Sequence, residues 1–424
     1  MLPSERRDES PVSGVRGSEA NATNRTVVLT VLVAALGYFV DIYDLILFLV
    51  VRVKSLRGIG VAPEDVMNRG VMLLNMQMIG MLTGGVLWGI LGDRRGRLSV
   101  LLGSIFLYSS ANVANGFVQT VPEYAVLRLV AGIGLAGELG AGVTLVSEIM
   151  SRHARGWGTT AIAGIGLFGA IVAALVGSAT RWQTAYFVGG GLGFALLVLR
   201  AAVYESKMFL GMRDSRVTRG NFFMLFSSRD RLRRYLAVIF VGAPIWFCLS
   251  VLVGLAPELS RAMGLAQAPD PGRAVLVFYA GACAGDLASG GLSQLLRSRK
   301  KVLGIFIGLT ATAMVTYFAI GGVSVSMLYW CCGFLGVATG YWAVFVTVAA
   351  EHFGTNLRAT TTTTAPNFVR GSVVPMTMLF QALRPRIGAI QSALAVGAGA
   401  IVIAFVALVH LDETFGKDLD YLER

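Results

Sequence analysis

Charge is what this chain has little of. Only 14% of its 424 residues are Asp, Glu, Lys or Arg, where a soluble globular chain carries about 25%. Hydrophobic residues make up 55% and the mean hydropathy is +0.68, so a soluble globular domain is excluded and most of the chain must lie in lipid. Cysteine is also scarce. Cys248, Cys283, Cys331 and Cys332 all fall in apolar runs, without metal-ligand or disulfide spacing, and read as core packing. The three histidines, His153, His352 and His410, fall at helix ends or in loops and read as solvated surface. There is no glycine-rich phosphate loop, no nucleophile elbow and no metal-ligand cluster. The expectation is therefore no enzyme and no cofactor. No soluble signalling domain is attached either, the longest polar stretch running only from Tyr204 to Arg233. No apolar core sits just behind the start, as a signal peptide would need.

What is present is a series of long apolar runs. A spanning helix needs about 20 apolar residues, which places spans at 26–51, 69–91, 98–119, 122–150, 156–179, 182–203, 234–256, 273–296, 301–321, 324–350, 359–382 and 387–411. The expected fold is an all-α membrane protein of twelve transmembrane helices in two six-helix bundles. The divisions are a polar tail at 1–25, a first bundle at 26–203, a basic linker at 204–233, a second bundle at 234–411 and a tail at 412–424. The net charge of +12 sits in short clusters between apolar runs, which suits anionic headgroups and excludes a nucleic-acid partner. With both termini in the cytoplasm, 24 of the 36 Lys and Arg fall inside and nine outside, the remainder lying in spans. That excess sets the orientation. It also puts the sequons at Asn21 and Asn24 in the cytoplasm, where they are not glycosylated.

The halves repeat at a shift of about 203 residues. Glu148-x6-Arg155 recurs as Glu351-x6-Arg358, and the basic turn at Arg94–Arg97 recurs as Arg297-Ser-Arg299-Lys300-Lys301. Parallel halves of this kind place a binding site between them near the midplane.

Ionisable groups inside spans are costly unless paired or hydrated, so each needs a reason. Span 1 holds Asp41 and Asp44, three apart on one face. Span 4 holds Arg128 and Glu138. Asp44 and Arg128 share a depth, as do Asp286 in span 8 and Arg370 in span 11. Two readings stand for each pair. It is a fixed salt bridge, or it is a working site in which moving the arginine swings the carboxylate's hold on a proton. Glu138 lies in a glycine-rich stretch, facing a cavity or bonded to backbone or a hydroxyl. Aromatics and a proline-loosened turn point to the cavity from the second half: Trp246 after Pro244, Tyr341 and Trp342, and Asn367 beside Pro366. Tyr43 is the corresponding aromatic of the first half.

Five stretches carry a family resemblance. Gly89-x3-Asp93-Arg94-x-Gly96-Arg97, between spans 2 and 3, resembles the signature of the major facilitator superfamily, and Arg128-x3-Gly132-x-Gly134 resembles its span-4 motif. Gly137-Glu138, Glu148-x6-Arg155-Gly156 and Tyr43-Asp44 are similar to the metabolite:proton symporter and sugar-porter branches. The resemblance implies alternating access, with Asp44 as proton site and Arg128 as its partner. It also implies a cytoplasmic gate of Gly89, Asp93, Arg94, Gly96, Arg97, Glu148, Arg155, Glu351 and Arg358. Span 5 lacks the glycine-proline motif of drug antiporters. The second basic turn has no acid matching Asp93.

The expectation is a monomeric, multi-pass transporter of the bacterial inner membrane. It moves a small polar metabolite (organic acid, amino acid or sugar) together with protons, and Arg370 is placed to counter an anionic group. The alternatives are a proton-coupled exporter of a drug or siderophore, and a transporter-like nutrient sensor.

Overall fold

The computed structural model describes residues 13–95, 97–138, 155–205 and 222–417, with side chains from 31 onward apart from those flanking the gaps and a few near 358. All regular structure among these residues is helical. The first bundle is α1 (Ser13–Gly58), α2 (Val66–Arg95), α3 (Arg97–Asn115), α4 (Val121–Leu135), α5 (Arg155–Ala179) and α6 (Trp182–Glu205). After a 3-10 turn at Phe222–Phe226 come α7 (Arg229–Phe247), a short α8 (Ala256–Ala262), α9 (Pro271–Leu295) and α10 (Arg299–Ile320). The last part is α11 (Val325–Thr339), α12 (Trp342–Glu351), α13 (Thr355–Gly371), α14 (Val373–Ile387) and α15 (Ala389–Val409).

Eight of these stretches are long and apolar enough to cross a membrane. The rest of the twelve expected spans are α3, α4, α5 and the joined pair α13–α14. The helices start where the local chemistry says they should. Thr120 caps α4 in a capping box with Glu123, and the side chains of Asp270, Ser298 and Ser324 accept from the first turns of α9, α10 and α11.

Three features depart from unbroken rods. α1 begins at Ser13, inside the stretch expected as a polar tail. The tenth span is two helices, because the chain leaves helical geometry at Gly340 and Tyr341. The seventh runs through Pro244 into a π-helical turn at Cys248–Val253, where the Gly254 N–H reaches back to the Leu249 carbonyl at 2.8 Å. A proline that donates no bond and a widened turn are two recognised ways to bend a helix.

The packing repeats between the halves. α1 lies on α5 and α6 as α7 lies on α13 and α15; α2 lies on α4 as α9 lies on α11; α3 lies on α6 as α10 lies on α15. The α2–α4 crossing is so close that a side chain on Gly80 would run into the Leu129 carbonyl. A side chain on Gly281 would meet the Gly333 carbonyl in the same way. Small residues permit such backbone approach in a membrane, and Gly80 and Gly132 recur 201 residues later as Gly281 and Gly333. The halves meet where α13 lies on α2 and α9 on α5.

Candidate functional site

A small cavity of about 40 Å³ lies between the halves. Tyr38, Ile42 and Leu167 line it from the first half. Trp246, Phe278, Tyr279, Asp286, Trp342 and Arg370 are among those lining it from the second. A dry cavity of about 150 Å³ takes a benzene ring, so this space must open before a ring-sized solute enters.

Arg370 is the central charge. It is fully buried, and its Nη2 stands 3.7 Å from Asp41 Oδ2 across the interface between the halves. That is ion-pair distance without a hydrogen bond. Among the described residues no group bonds to Nε, Nη1 or Nη2 of Arg370, or to either oxygen of Asp41. The guanidinium lies over the faces of Trp246 and Trp342, at 5.5 and 5.8 Å from the ring centroids, distances at which a ring quadrupole attracts a cation. The Trp342 indole N–H donates to Tyr38 Oη at 3.2 Å, which ties the second half's aromatic wall to the first half. Tyr38 was not singled out from the sequence. Its signal is its place three residues before Asp41, on the same helix face.

Asp286 lines the cavity but is not in ion-pair contact with Arg370, the partner that shared depth suggested. Its Oδ1 accepts the Ala343 N–H at 3.1 Å. It thereby caps, from another helix, the N-terminus of α12 that the break at Gly340 exposes, where the helix dipole favours a negative group.

Asp44 and Arg128 are likewise not in ion-pair contact. Arg128 donates to Gln77 Oε1 and lies over the Phe48 ring at 4.4 Å. Asp44 is buried with neither oxygen hydrogen-bonded among the described residues.

Glu138 does not line the cavity. It forms a two-pronged bond with Arg200 of α6, and both side chains are 1% exposed. The pair rests against Gly37 of α1, where any side chain would collide with it. Arg200 stood in the sequence at the edge of span 6 and drew no attention there. The remaining aromatics and Asn367 are wall and seam. Tyr43 donates to the Ala185 carbonyl at 2.9 Å, and Tyr341 to the Val241 carbonyl at 3.0 Å. Asn367 donates to Ala136 of the other half at 3.0 Å.

Two expectations about polar surface are corrected. His352 is buried rather than solvated. Burial lowers its affinity for a proton, its Nδ1 faces the Val348 carbonyl at 3.0 Å, and its own carbonyl accepts from Arg234 at 2.8 Å. Arg52, one of the nine charges placed outside, is buried, while Lys54 beside it is exposed as expected and also engaged. Arg52 is buried against Glu258 of the second half at 2.7 Å, and Lys54 donates to the last carbonyls of α5, at Gly177 and Ser178. Cys248, Cys331 and Cys332 are buried as expected. His410 is exposed.

Of the gate residues, Gly96 and Glu148 lie outside the described residues, as does His153, and so do the side chains of Asp93, Arg94, Arg97, Arg155 and Arg358. Gly89 lies within α2. Glu351 is 3.6 Å from Arg299 and accepts from the Thr414 hydroxyl at 2.6 Å. The acid missing from the second basic turn comes from the tail. Glu413 accepts from the Ser298 hydroxyl and from the backbone N–H of Arg299 at 2.9 Å, at the start of α10.

Comparison with known proteins agrees with this architecture. Residues 27–374 match the Major Facilitator Superfamily. The chain is 28% identical over 297 residues to the 3-(3-hydroxy-phenyl)propionate transporter of Escherichia coli (strain K12), covering 68% of this chain and 71% of that one. It is 26% identical over 360 residues to the niacin transporter NiaP of Acinetobacter baylyi, covering 77% and 80%. Among solved structures, the MFS proton:xylose symporter XylE superposes with a TM-score of 0.68 at 18% identity, over 94% of this chain and 98% of the other.

Proposed function

Because the chain belongs to the Major Facilitator Superfamily, a family of membrane transporters and not enzymes, we propose that it imports small ring-bearing carboxylates together with protons, Arg370 receiving the carboxylate. The observation that carries this is the state of Arg370. It is a fully buried cation with aromatic faces on two sides, held by Asp41 at a distance too long for a hydrogen bond. A buried guanidinium gains most from a planar, two-pronged acceptor, and a substrate carboxylate is one. Flanking indoles suit a flat ring behind it. The two relatives are named for ring carboxylates, a hydroxyphenylpropionate and niacin.

Coupling follows from the same contact. When a substrate carboxylate takes Arg370, Asp41 becomes a buried carboxylate without its counter-charge, a costly state relieved by taking up a proton. Asp44, one turn along the same face, has no hydrogen bond of its own among the described residues. Two carboxylates this close share their protons as a pair. Charge entering with the substrate is thus matched by a proton before the halves rock about the site.

The chain is a multi-pass membrane protein. The Lys and Arg distribution supports a bacterial inner membrane location with both termini in the cytoplasm. One chain supplies both walls of the cavity, which supports a monomer as the working unit. On this orientation Asp93, Glu148 and Arg155, with Glu351 and Arg358, serve as the cytoplasmic gate.

The test is transport in proteoliposomes carrying a lumenal pH dye. Hydroxyphenylpropionate, nicotinate and 4-hydroxybenzoate are compared with xylose and an uncharged amide of each acid. The expected result is lumenal acidification with the acids only, lost at least a hundredfold in Arg370→Gln and partly kept in Arg370→Lys. Equal uptake of the amides, or unimpaired uptake by Arg370→Gln, overturns the assignment of Arg370.

A further inference from the structure

The first half contains a second polar feature, separate from the substrate cavity. Ser109, Asn112 and Asn115 occupy α3 at three-residue steps, so they climb one face of the helix by roughly 4.5 Å per step. All three side chains are buried to within 1%. No described group bonds to the Ser109 hydroxyl or to either amide atom of Asn112 and Asn115.

Asp44 meets this stair at its middle step, with Ser109 one turn deeper. Asn112 lies beside Asp44. Gly189 and Gly193 of α6 press on Asp44 and Ser109 respectively, so a side chain at either glycine would fill the space they occupy. The head of the stair is the last residue of α3. Beyond Asn115, Phe117, Gln119 and Thr120 are exposed, at the end of the bundle away from both termini.

Apolar residues would serve here if the only need were packing. Among the described residues Asn115 and Ser109 have no partner, and Asn112 and Asp44 have only each other, without a bond of ordinary length; groups left so cost on the order of 1–3 kcal/mol each. Such groups are normally satisfied by buried water, each molecule making about 3 hydrogen bonds. Two buried amides leading from the rim to a carboxylate, with a hydroxyl just beyond it, are an arrangement that orders a file of water. Meanwhile the interface between the halves is closed at that same end by Arg52 with Glu258 and by Asn68 with Arg384 at 3.2 Å.

We propose that Asp44 receives its proton through a water file inside the first half, along Asn115 and Asn112, rather than through the cavity that admits the substrate. This rests on the proton-coupling reading above. Its consequence is that the proton reaches Asp44 while the substrate path is shut at that end. The titratable and charged groups around Asp44 are Asp41 and Tyr43 on its own helix, Tyr108 on α3, Arg128 on α4 and Tyr186 on α6. All of them are buried.

The experiment uses the full chain in proteoliposomes, with hydroxyphenylpropionate as substrate. Net uptake with lumenal acidification is compared with counterflow at equal pH, which needs no net proton movement. Asn115→Leu keeps the volume and removes the amide. Its net uptake should fall about tenfold at external pH 8 and recover as external pH is lowered to 5.5, with counterflow within twofold of wild type. Asn115→Ser, which keeps a group that water can bond, should restore uptake at pH 8. Equal loss of uptake and counterflow by Asn115→Leu at every pH would mean a packing role, and no loss at pH 8 would place the route elsewhere; either overturns the proposal. Should Asn115→Leu not fold, Asn112→Leu is read in the same way. Wild-type uptake without acidification would instead bring down the proton-coupling reading, and this proposal with it.

Discussion

Arg52 of α1 and Glu258 of α8 meet at 2.7 Å across the two halves, at the end of the bundle away from the termini. Arg52 also donates at 3.0 Å to the Gly254 carbonyl, just past the π-helical turn. The local distortion of the seventh span and the closure of this end are therefore held by one side chain. Arg52 is 2% exposed and Glu258 16%, so the pair is shielded from solvent on the arginine side. Breaking it leaves a buried charge, which is worse than removing both partners.

Glu258→Gln should accordingly loosen this closure. An impermeant thiol reagent added from outside should label Ile245→Cys, a cavity position, about tenfold faster in the Glu258→Gln background. Tenfold corresponds to about 1.4 kcal/mol between the closed and open forms. The charge swap Arg52→Glu with Glu258→Arg should return labelling towards the starting rate. Unchanged labelling in Glu258→Gln would show that closure rests on the helix contacts alone.

Asp286 offers a test of capping against charge. Its Oδ1 accepts a backbone N–H of α12, and an asparagine oxygen accepts that bond as well. Asp286→Asn should therefore keep thermal stability within about 0.5 kcal/mol of wild type, whereas Asp286→Ala should lose about 0.5–2 kcal/mol, the usual range for a lost cap. If Asp286→Asn is as damaging to stability as Asp286→Ala, the negative charge matters and the cap does not explain the residue.

The twelve spans were legible because lipid imposes a length of apolar sequence that soluble folds do not. The repeat was legible because its signals sit at the ends of spans, as in Glu351 seven residues before Arg358. Pairing was less legible. Depth along a span follows from residue count, but the face a side chain takes and the neighbour it meets do not. Arg370 thus pairs with Asp41 of the other half, and Asp286 turns to a helix end. The break at Gly340–Tyr341 escaped notice because an apolar run reads the same whether or not the helix is continuous. Arg52 was hidden for a related reason: an arginine near a span edge looks like a loop charge until its partner, Glu258, is placed, and Arg200, at the edge of span 6, shows no partner until Glu138 is placed. Residues 206–221 of the 204–233 linker and the end of the fourth span lie outside the described residues, and α7 begins within that linker at Arg229.

The tail makes a pH prediction. Burial raises the proton affinity of Glu413, but bonds from the Ser298 hydroxyl and the N–H groups of Phe415, Arg299 and Lys300 outweigh it and leave the carboxyl below the ordinary glutamate range. A carboxyl depressed in the folded chain stabilises it above the unfolded value of about 4.3. That contribution is lost as pH falls through the lower folded value. Between pH 6 and pH 3 the melting temperature should fall less steeply in Glu413→Gln than in wild type, from a lower starting point. Parallel acid limbs would mean that the tail carboxylate is not bound to α10 in the membrane.

Glu138 and Arg200 separate structural from working charges. They are paired with two bonds inside one half, whereas Asp41 and Arg370 face each other at 3.7 Å between halves. A pair within one half keeps its geometry while the halves rock; a pair between halves must break. Glu138→Gln leaves the buried Arg200 without its counter-charge and should cost about 3–5 kcal/mol, read as a lower melting temperature and poor recovery from the membrane. Removing both charges, as Glu138→Leu with Arg200→Leu, should recover most of that stability and leave uptake within about threefold of wild type. The same double removal at Asp41 and Arg370 should give a folded protein with no uptake. If the Glu138–Arg200 double variant folds but does not transport, the pair belongs to the transport cycle, and the distinction drawn from bond geometry fails.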